Sequence, residues 1–171
     1  MRWTTLLAIA LLAPPSAAAT SPIADPGVRE VLRRVNQHRE RIGCTALRWD
    51  GALARVAERH SRDMARRGFF SHENPEDQSP FDRIESAGID YRAAAENIAM
   101  GQTSGAQVFR DWMNSRGHRE NMENCRYTEV GIGRAGDHWT LDLVQRADSP
   151  RHGSRRIRQA QHGPHTPRRA S

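Results

Sequence analysis

The hydrophobic period of the chain changes once, and this change limits the folds open to it. Apolar residues recur at helical spacing over residues 28–64 and again over about 104–115. Over residues 130–143, apolar residues instead alternate with polar or small ones, and a Gly-Asp pair interrupts the alternation as the turn of a β-hairpin would. Helices followed by late strands predict one α+β domain, with helices layered on a small antiparallel sheet.

Capping and turn residues predict where each element begins and ends. Asp50 precedes an apolar periodic run and can cap a helix, while Gly68 follows that run and can end it. The predicted elements are a first helix from Gly27 to near Gly43, a second from Asp50 to Gly68, a short helix from Ser79 to Gly88, an extended segment from Glu96 to Gly101, a third long helix from about Ser104 to Ser115, and a short helix beginning at Arg119.

The first nineteen residues have the composition of a secretory signal peptide. Arg2 precedes an apolar run that is too short to remain as a bilayer-spanning anchor, and small residues end the segment at Ala19. A buried N-terminal helix is the alternative interpretation. We expect a signal peptide over residues 1–19, a linker over 20–26, and a soluble, exported domain over 27–148.

Export determines how the two cysteines are interpreted. In an oxidising compartment Cys44 and Cys125 are expected to pair, whereas in a reducing one they would be free thiols. A bridge between them would close a loop of roughly 80 residues and contribute about 4 kcal/mol on the chain-entropy estimate. Two unpaired buried thiols remain the alternative.

The formal net charge of +6 is concentrated at the C-terminus. Residues 149–171 contain six arginines and no acid, while residues 20–148 contain 19 basic and 20 acidic residues. A nearly neutral domain argues against specific nucleic-acid binding, which needs a basic folded surface. We expect 149–171 to be a disordered tail, which either contacts an anionic cell-wall or membrane surface or has no partner.

Three short segments carry residues able to form a metal or acid/base site. They contain His72, Glu96, and the pair Ser115 and His118. Two imidazoles and a carboxylate suit a divalent transition ion, but no HExxH or CxxC pattern supports one, and no G-x-S-x-G elbow surrounds Ser115. Each residue also has a structural interpretation as a turn or helix-end residue. His60 is interpreted as a hydrogen-bonded histidine on the core face of the second helix.

Four blocks resemble the CAP superfamily, the cysteine-rich secretory, antigen 5 and pathogenesis-related proteins, and in particular its bacterial SCP-like extracellular members. The resemblance covers about Val28 to Val144, and the blocks occur in the family's order and spacing. They read "NQHRERIGCTALRWDGALARVAERHSRDMARRGFFSH", "AENIAMG", "VFRDWMNSRGHRENM" and "EVGIGRAGDHWTLDLV".

The resemblance implies an α-β-α sandwich with a cleft lined by two histidines and two acids. Matched by position, the cleft residues are His72, Glu96, Ser115 and His118, so Ser115 stands where many members carry the second carboxylate. The resemblance further implies weak binding of Zn or another divalent cation by His72 and His118. The pairing of the two cysteines is also similar to that of exported bacterial relatives.

Two classes of function follow from this resemblance. The first, which we favour, is a non-enzymatic secreted module, expected to be a monomer, that binds a lipid, sterol, glycan or protein in or beside the cleft. The second is a metal-dependent, peptidase-like hydrolase in which His72 and His118 hold the ion and Glu96 is the base.

Overall fold

The computed structural model of the protein describes residues 23–147. The predicted signal peptide (1–19), the first residues of the predicted linker (20–22) and the predicted basic tail (149–171) lie outside the described residues, so these assignments stay predictions. None of the helices between residues 23 and 147 combines the length and the apolar character needed to cross a membrane.

The two long N-terminal helices begin and end within two residues of their predicted boundaries. Helix α1 spans Pro26–Arg41, and the carboxylate of Asp25 accepts a hydrogen bond from the first turn. Helix α2 spans Gly51–Arg67 and is capped by Asp50, which accepts from two backbone N–H groups. Gly68 ends α2 in the left-handed conformation, with φ of 70°.

The shorter helices follow the predicted order with one corrected boundary. Helix α3 spans Pro80–Ser86 behind the capping box of Ser79 and Asp82, and α4 spans Gly105–Asn114. Helix α5 spans Arg116–Glu123, so the predicted start at Arg119 is wrong by almost one turn. Its N-cap residue, Ser115, makes no capping hydrogen bond through its side chain, and the local signal for the helix start is therefore weak.

The sheet has four strands in the order β1-β3-β4-β2. They are β1 (Arg48–Trp49), β2 (Tyr91–Met100), β3 (Glu129–Ala135) and β4 (His138–Arg146). The predicted hairpin is β3 and β4, which pair antiparallel, and β4 also pairs antiparallel with β2. The sheet is mixed rather than antiparallel throughout, because the two-residue β1 pairs parallel with β3. The predicted extended segment proves to be the end of the ten-residue β2.

Helices cover both faces of this sheet, which confirms the α-β-α arrangement. On one face, Leu141 and Leu143 of β4 pack with Val31 of α1 and Trp112 of α4. On the other face, Val144 packs against apolar side chains of α2 and α3. Because side chains alternate along a strand, Asp142 lies on the same face as Val144, beneath α2. A polar residue of a central strand is thereby buried.

The predicted disulfide between Cys44 and Cys125 is present. It joins the loop after α1 to the loop after α5. The buried guanidinium of Arg39 stands beside this bridge and donates hydrogen bonds to four backbone oxygens, those of Thr45, Met122, Asn124 and Tyr127, at 2.9 to 3.0 Å. The end of α1 is thus held to the segment that leads into β3 by a covalent bond and a polar clamp.

Candidate functional site

The carboxylate of Glu96 is the buried centre of the candidate site. Glu96 lies on the edge strand β2, and its side chain is only 2% exposed. Its Oε1 accepts a hydrogen bond from Nδ1 of His72 at 2.8 Å, and its Oε2 accepts from Nη2 of Arg83 at 2.7 Å. Both carboxylate oxygens are therefore engaged within the protein.

His72 presents its other ring nitrogen to the outside. Its side chain is 51% exposed. Because a carboxylate only accepts hydrogen bonds, Nδ1 of His72 carries a proton, and Nε2 is the acceptor nitrogen whenever the ring is neutral. Two hydrogen bonds fix the loop that carries His72. Arg83 donates to the carbonyl oxygen of His72 at 2.9 Å, and His60 donates to the carbonyl oxygen of Ser71 at 3.0 Å.

His118 reaches the same region from helix α5. Asn97, the neighbour of Glu96 on β2, donates its side-chain N–H to the carbonyl oxygen of His118 at 3.0 Å, and Asn121 donates to Asn97 Oδ1 at 2.8 Å. These bonds hold the first turn of α5 against the edge strand. Burial lowers the pKa of His118 and the nearby His72 lowers it further, which favours the neutral imidazole.

The two histidines share one open cleft of about 400 Å³. Its walls also include the exposed ring of Phe70 and the side chain of Ile98, with Glu73 at the rim. The predicted members His72 and His118 are thus brought together, with Glu96 behind His72. Ser115 is not among the described residues that line the cleft, because it stands at the junction of α4 and α5.

Two residues of this site, Arg83 and Asp142, were not predicted. Asp142 on β4 pairs in register with Glu96 and is 1% exposed, and its carboxylate accepts no hydrogen bond from the described residues; when protonated it can donate to Glu96. Burial raises the pKa of Asp142 well above its usual range, and the adjacent Glu96 raises it further, which favours the protonated acid. The alternation of β4 was the available signal, since it separates Asp142 from Leu141 and Leu143.

The interpretation of His60 needs a correction. Its ring is buried on the core face of α2, as predicted, and Nε2 is hydrogen-bonded to Ser71. Nδ1, however, has no partner among residues 23–147, so the histidine is only half satisfied. Burial lowers the pKa of His60 and favours its neutral form.

The donor set for a metal ion is small. Within residues 23–147, no group of three or more His, Cys, Asp and Glu side chains is placed to hold an ion. The two cleft histidines do fit a pair of ligands, because metal-binding histidines commonly donate their other N–H to a carboxylate, as His72 does to Glu96. A neutral His118 also fits, since a ligating imidazole must have lost its proton.

Residues 32–143 match the sequence profile of the cysteine-rich secretory protein family, CAP. The chain belongs to the CAP family. The matched residues include the cleft histidines, Glu96, Arg83 and Asp142, so the whole site described above lies inside the CAP domain.

Two Bacillus proteins resemble this one over the matched domain. YkwD of Bacillus subtilis, an uncharacterized protein, is 38% identical over 118 residues, which are 68% of this chain and 46% of YkwD. An extracellular protein of Bacillus anthracis with an SCP domain superimposes with a TM-score of 0.67 and 31% identity, over 69% of this chain and 40% of that one. The chain thus spans less than half the length of these relatives.

A more distant structure shares the fold alone. An outer surface protein of Borrelia burgdorferi superimposes with a TM-score of 0.67 at 19% identity, over 71% of this chain and 93% of that one. The overlap with nearly all of the Borrelia protein shows that the CAP fold described here accounts for almost the whole of that protein.

Proposed function

We propose that the protein is an exported, non-enzymatic binding module whose cleft between His72 and His118 takes a neutral lipid with a hydroxyl head group, such as a sterol. The observation that carries this proposal is the complete engagement of Glu96. Its two oxygens bind His72 and Arg83, and the side chain is 2% exposed. The carboxylate orients His72 instead of facing a substrate.

In the hydrolase alternative His72 and His118 hold the ion, so the base must be a carboxylate, and the described residues offer none in the interior of this cleft. A general base must come within hydrogen-bond reach of the water it activates. Glu96 lies behind His72, and Ser115 supplies no carboxylate at the position where many relatives carry the second acid. Glu73 is exposed at the rim of the cleft, and its backbone N–H donates to the hydroxyl of Ser71. This bond does not bring the carboxylate of Glu73 into the interior.

The walls of the cleft favour a ligand that is apolar with one polar end. Phe70 is 47% exposed and lines the cleft, so its ring offers a bound ligand an apolar surface. Ile98 supplies a second apolar surface. Nε2 of His72 can accept a hydrogen bond from a hydroxyl group. A neutral lipid alcohol satisfies both kinds of surface.

A divalent ion such as Zn would be held by His72 and His118, and it would polarise an oxygen atom of the bound head group. Two protein ligands are fewer than the three of ordinary catalytic zinc sites. We therefore expect weak affinity. Calorimetric titration with zinc chloride should show binding that His72→Ala/His118→Ala abolishes and Ser115→Ala leaves unchanged. Equal zinc binding by the unmodified protein and both variants would show that the ion does not bind at this site.

Titration with a fluorescent sterol tests the binding function. We expect saturable binding that weakens at least tenfold in Phe70→Ser and in His72→Ala/His118→Ala. Phe81→Ser is the matched control, because Phe81 is equally exposed but lies on α3 and does not line the cleft. Equal losses in Phe70→Ser and Phe81→Ser would contradict the proposed ligand site.

The same variants separate a binding module from an enzyme. Zinc-loaded protein is incubated with peptide and peptidoglycan libraries, and we expect no turnover. Turnover that disappears in His72→Ala/His118→Ala would contradict the non-enzymatic binding function and support hydrolysis. Export is tested by fractionation of cells that express the full chain, with the protein expected outside the cytoplasm.

A further inference from the structure

A second cavity, of about 470 Å³, lies between α2 and α3. Arg59, Arg62 and Arg66 line it from α2, and Arg83 lines it from α3. Spacings of three and four residues place the three α2 side chains on one stripe of the helix. This cavity is called the arginine pocket below. It does not share Phe70, His72 or His118 with the cleft.

The charges in the arginine pocket do not balance. Arg62 pairs with Glu58, and Arg83 pairs with Glu96. The one acid among the described residues of the pocket lining, Asp63, lies 3.4 Å from Arg67, which also binds Glu76 at 2.7 Å, so Asp63 offsets part of the remaining positive charge.

Arg59 and Arg66 are the two other arginines among the described residues of the pocket lining. Both are exposed, and neither has an ion pair or a hydrogen bond through its guanidinium among residues 23–147. Two positive charges therefore face this cavity without a partner, although the domain as a whole is close to neutral.

Two polar side chains add hydrogen-bonding capacity beside these charges. The hydroxyl of Ser86 and the amide N–H groups of Gln78 have no partner within the described part of the chain, and Val56 supplies an apolar wall. A volume of about 470 Å³ falls within the usual range for small-molecule sites. The pocket thus combines groups that suit hydroxyls with two guanidinium groups that make no ion pair among the described residues.

We propose that the arginine pocket binds a phosphomonoester of a hydroxylated compound, such as a sugar phosphate. A phosphomonoester carries about −1.5 to −2 charges at neutral pH, which matches the two unpaired guanidinium groups. The planar fork of arginine donates two parallel hydrogen bonds to phosphate oxygens. Arg59 and Arg66 bind the phosphate group, and Ser86 and Gln78 bind hydroxyls. This inference is independent of the function proposed for the cleft.

Two residues of the pocket report on its occupancy. The buried ring of His60 lines the cavity, and its Nδ1 lacks a partner among the residues described. Arg83 lines the same cavity and bonds Glu96, which in turn bonds His72. A bound dianion should therefore shift the NMR resonances of His60 strongly, and those of His72 more weakly through Arg83.

The experiment titrates the protein with glucose 6-phosphate and follows both histidines by NMR and the affinity by calorimetry. The test variant is Arg59→Gln/Arg66→Gln. The matched control is Arg55→Gln/Arg110→Gln, which removes two exposed arginines that likewise have no partner within residues 23–147 and do not line the pocket. Basic residues 149–171 are retained in every protein, so their attraction for phosphate is common to all three.

We expect saturable binding with a shift at His60. Affinity should fall at least tenfold in the test variant and stay within twofold in the control. Glucose should not bind, and unchanged thermal unfolding should show that the test variant is folded. Equal losses in both double variants, or binding without a shift at His60, would overturn the proposal.

The same phosphomonoester chemistry occurs in a free sugar phosphate and in the head group of phosphatidic acid. Cosedimentation with phosphatidylcholine vesicles that contain phosphatidic acid separates the two sources. Vesicle binding that requires Arg59 and Arg66 assigns a lipid head group to the pocket. Vesicle binding that is equal in all three proteins, together with loss of glucose 6-phosphate affinity in the test variant, assigns the soluble compound.

Discussion

Replacing Asp142 by asparagine should stabilise the protein, and more so as the pH rises. Asp142 is 1% exposed, its oxygens accept no hydrogen bond from residues 23–147, and Glu96 lies beside it on the neighbouring strand, where it can accept the acid proton. Burial, with Glu96 as a further cause, raises the pKa of Asp142 in the folded state. The unfolded chain releases this proton near the ordinary aspartate pKa of about 3.9.

The sign of the effect follows from which state holds the proton. Between the ordinary pKa of aspartate and its raised folded-state pKa, the folded protein keeps a proton that the unfolded chain has released. The free energy of unfolding therefore falls as the pH rises through this window. The slope is at most about 1.4 kcal/mol per pH unit for one group. Asparagine has no proton to release, so this loss is absent in Asp142→Asn.

The size of the gain is limited by what asparagine itself leaves unpaired. Its amide N–H can donate to Glu96, but its oxygen remains buried, and one unsatisfied buried group costs about 1 to 3 kcal/mol in either protein. We expect Asp142→Asn to raise the free energy of unfolding by about 1 to 2 kcal/mol at pH 8. The gain should be smaller at pH 5.

Urea unfolding of the oxidised protein at pH 5 and pH 8 measures this difference, with the fluorescence of the buried Trp112 and Trp139 as the probe. Asp90→Asn is the control, because it removes one aspartate carboxylate from an exposed position. A destabilised Asp142→Asn at both pH values, or a difference that does not grow with pH, would contradict the reasoning from a protonated Asp142.

Three further predictions concern the stability of the fold. Gly133→Ala should cost more than about 3 kcal/mol in urea unfolding, because the new Cβ would lie 2.1 Å from the backbone nitrogen of Glu58 on α2. Gly117→Ala in α5, whose Cβ meets nothing within 4 Å, should instead be neutral or stabilising by up to about 1 kcal/mol. Equal effects of the two glycine substitutions would contradict the close contact between Gly133 and Glu58. Arg39→Met should cost at least about 3 kcal/mol, because four backbone oxygens lose a charged donor; thermal unfolding close to that of the unmodified protein would refute this role. Reduction of the bridge between Cys44 and Cys125 should lower the free energy of unfolding by about 4 kcal/mol for its 81-residue separation, and a loss below 1 kcal/mol would argue against the loop-entropy account.

The sequence predicts helices well where local chemistry marks their ends. Asp50 and Gly68 delimit α2 because a capping carboxylate and a left-handed glycine act within one turn of the helix. The start of α5 was misplaced because Ser115 makes no capping bond and Gly117 weakens the first turn. Strand β1 was missed because two residues show no periodicity, and its parallel pairing with β3 depends on residues that are distant in sequence.

The candidate site was predictable in part for a related reason. His72, Glu96 and His118 belong to blocks that resemble CAP proteins, so their positions were available from the resemblance. Arg83 and Asp142 were not, because a charged residue in a short helix and a polar residue in an alternating strand both suggest solvent exposure. Only the packing of α2 and α3 onto the sheet buries them.

The distribution of charge around Arg83 separates the two cavities chemically. In the cleft, Glu96 is neutralised by Arg83, Ser115 adds no carboxylate, and the exposed Glu73 is the one acid among the described lining residues. In the arginine pocket, two guanidinium groups have no partner in the described chain. A neutral lipid and a phosphorylated compound should therefore not compete for one site. Arg83 lines the arginine pocket and also bonds Glu96, which orients His72 in the cleft. A ligand in the pocket should therefore shift the NMR resonances of His72 without displacing the ligand of the cleft.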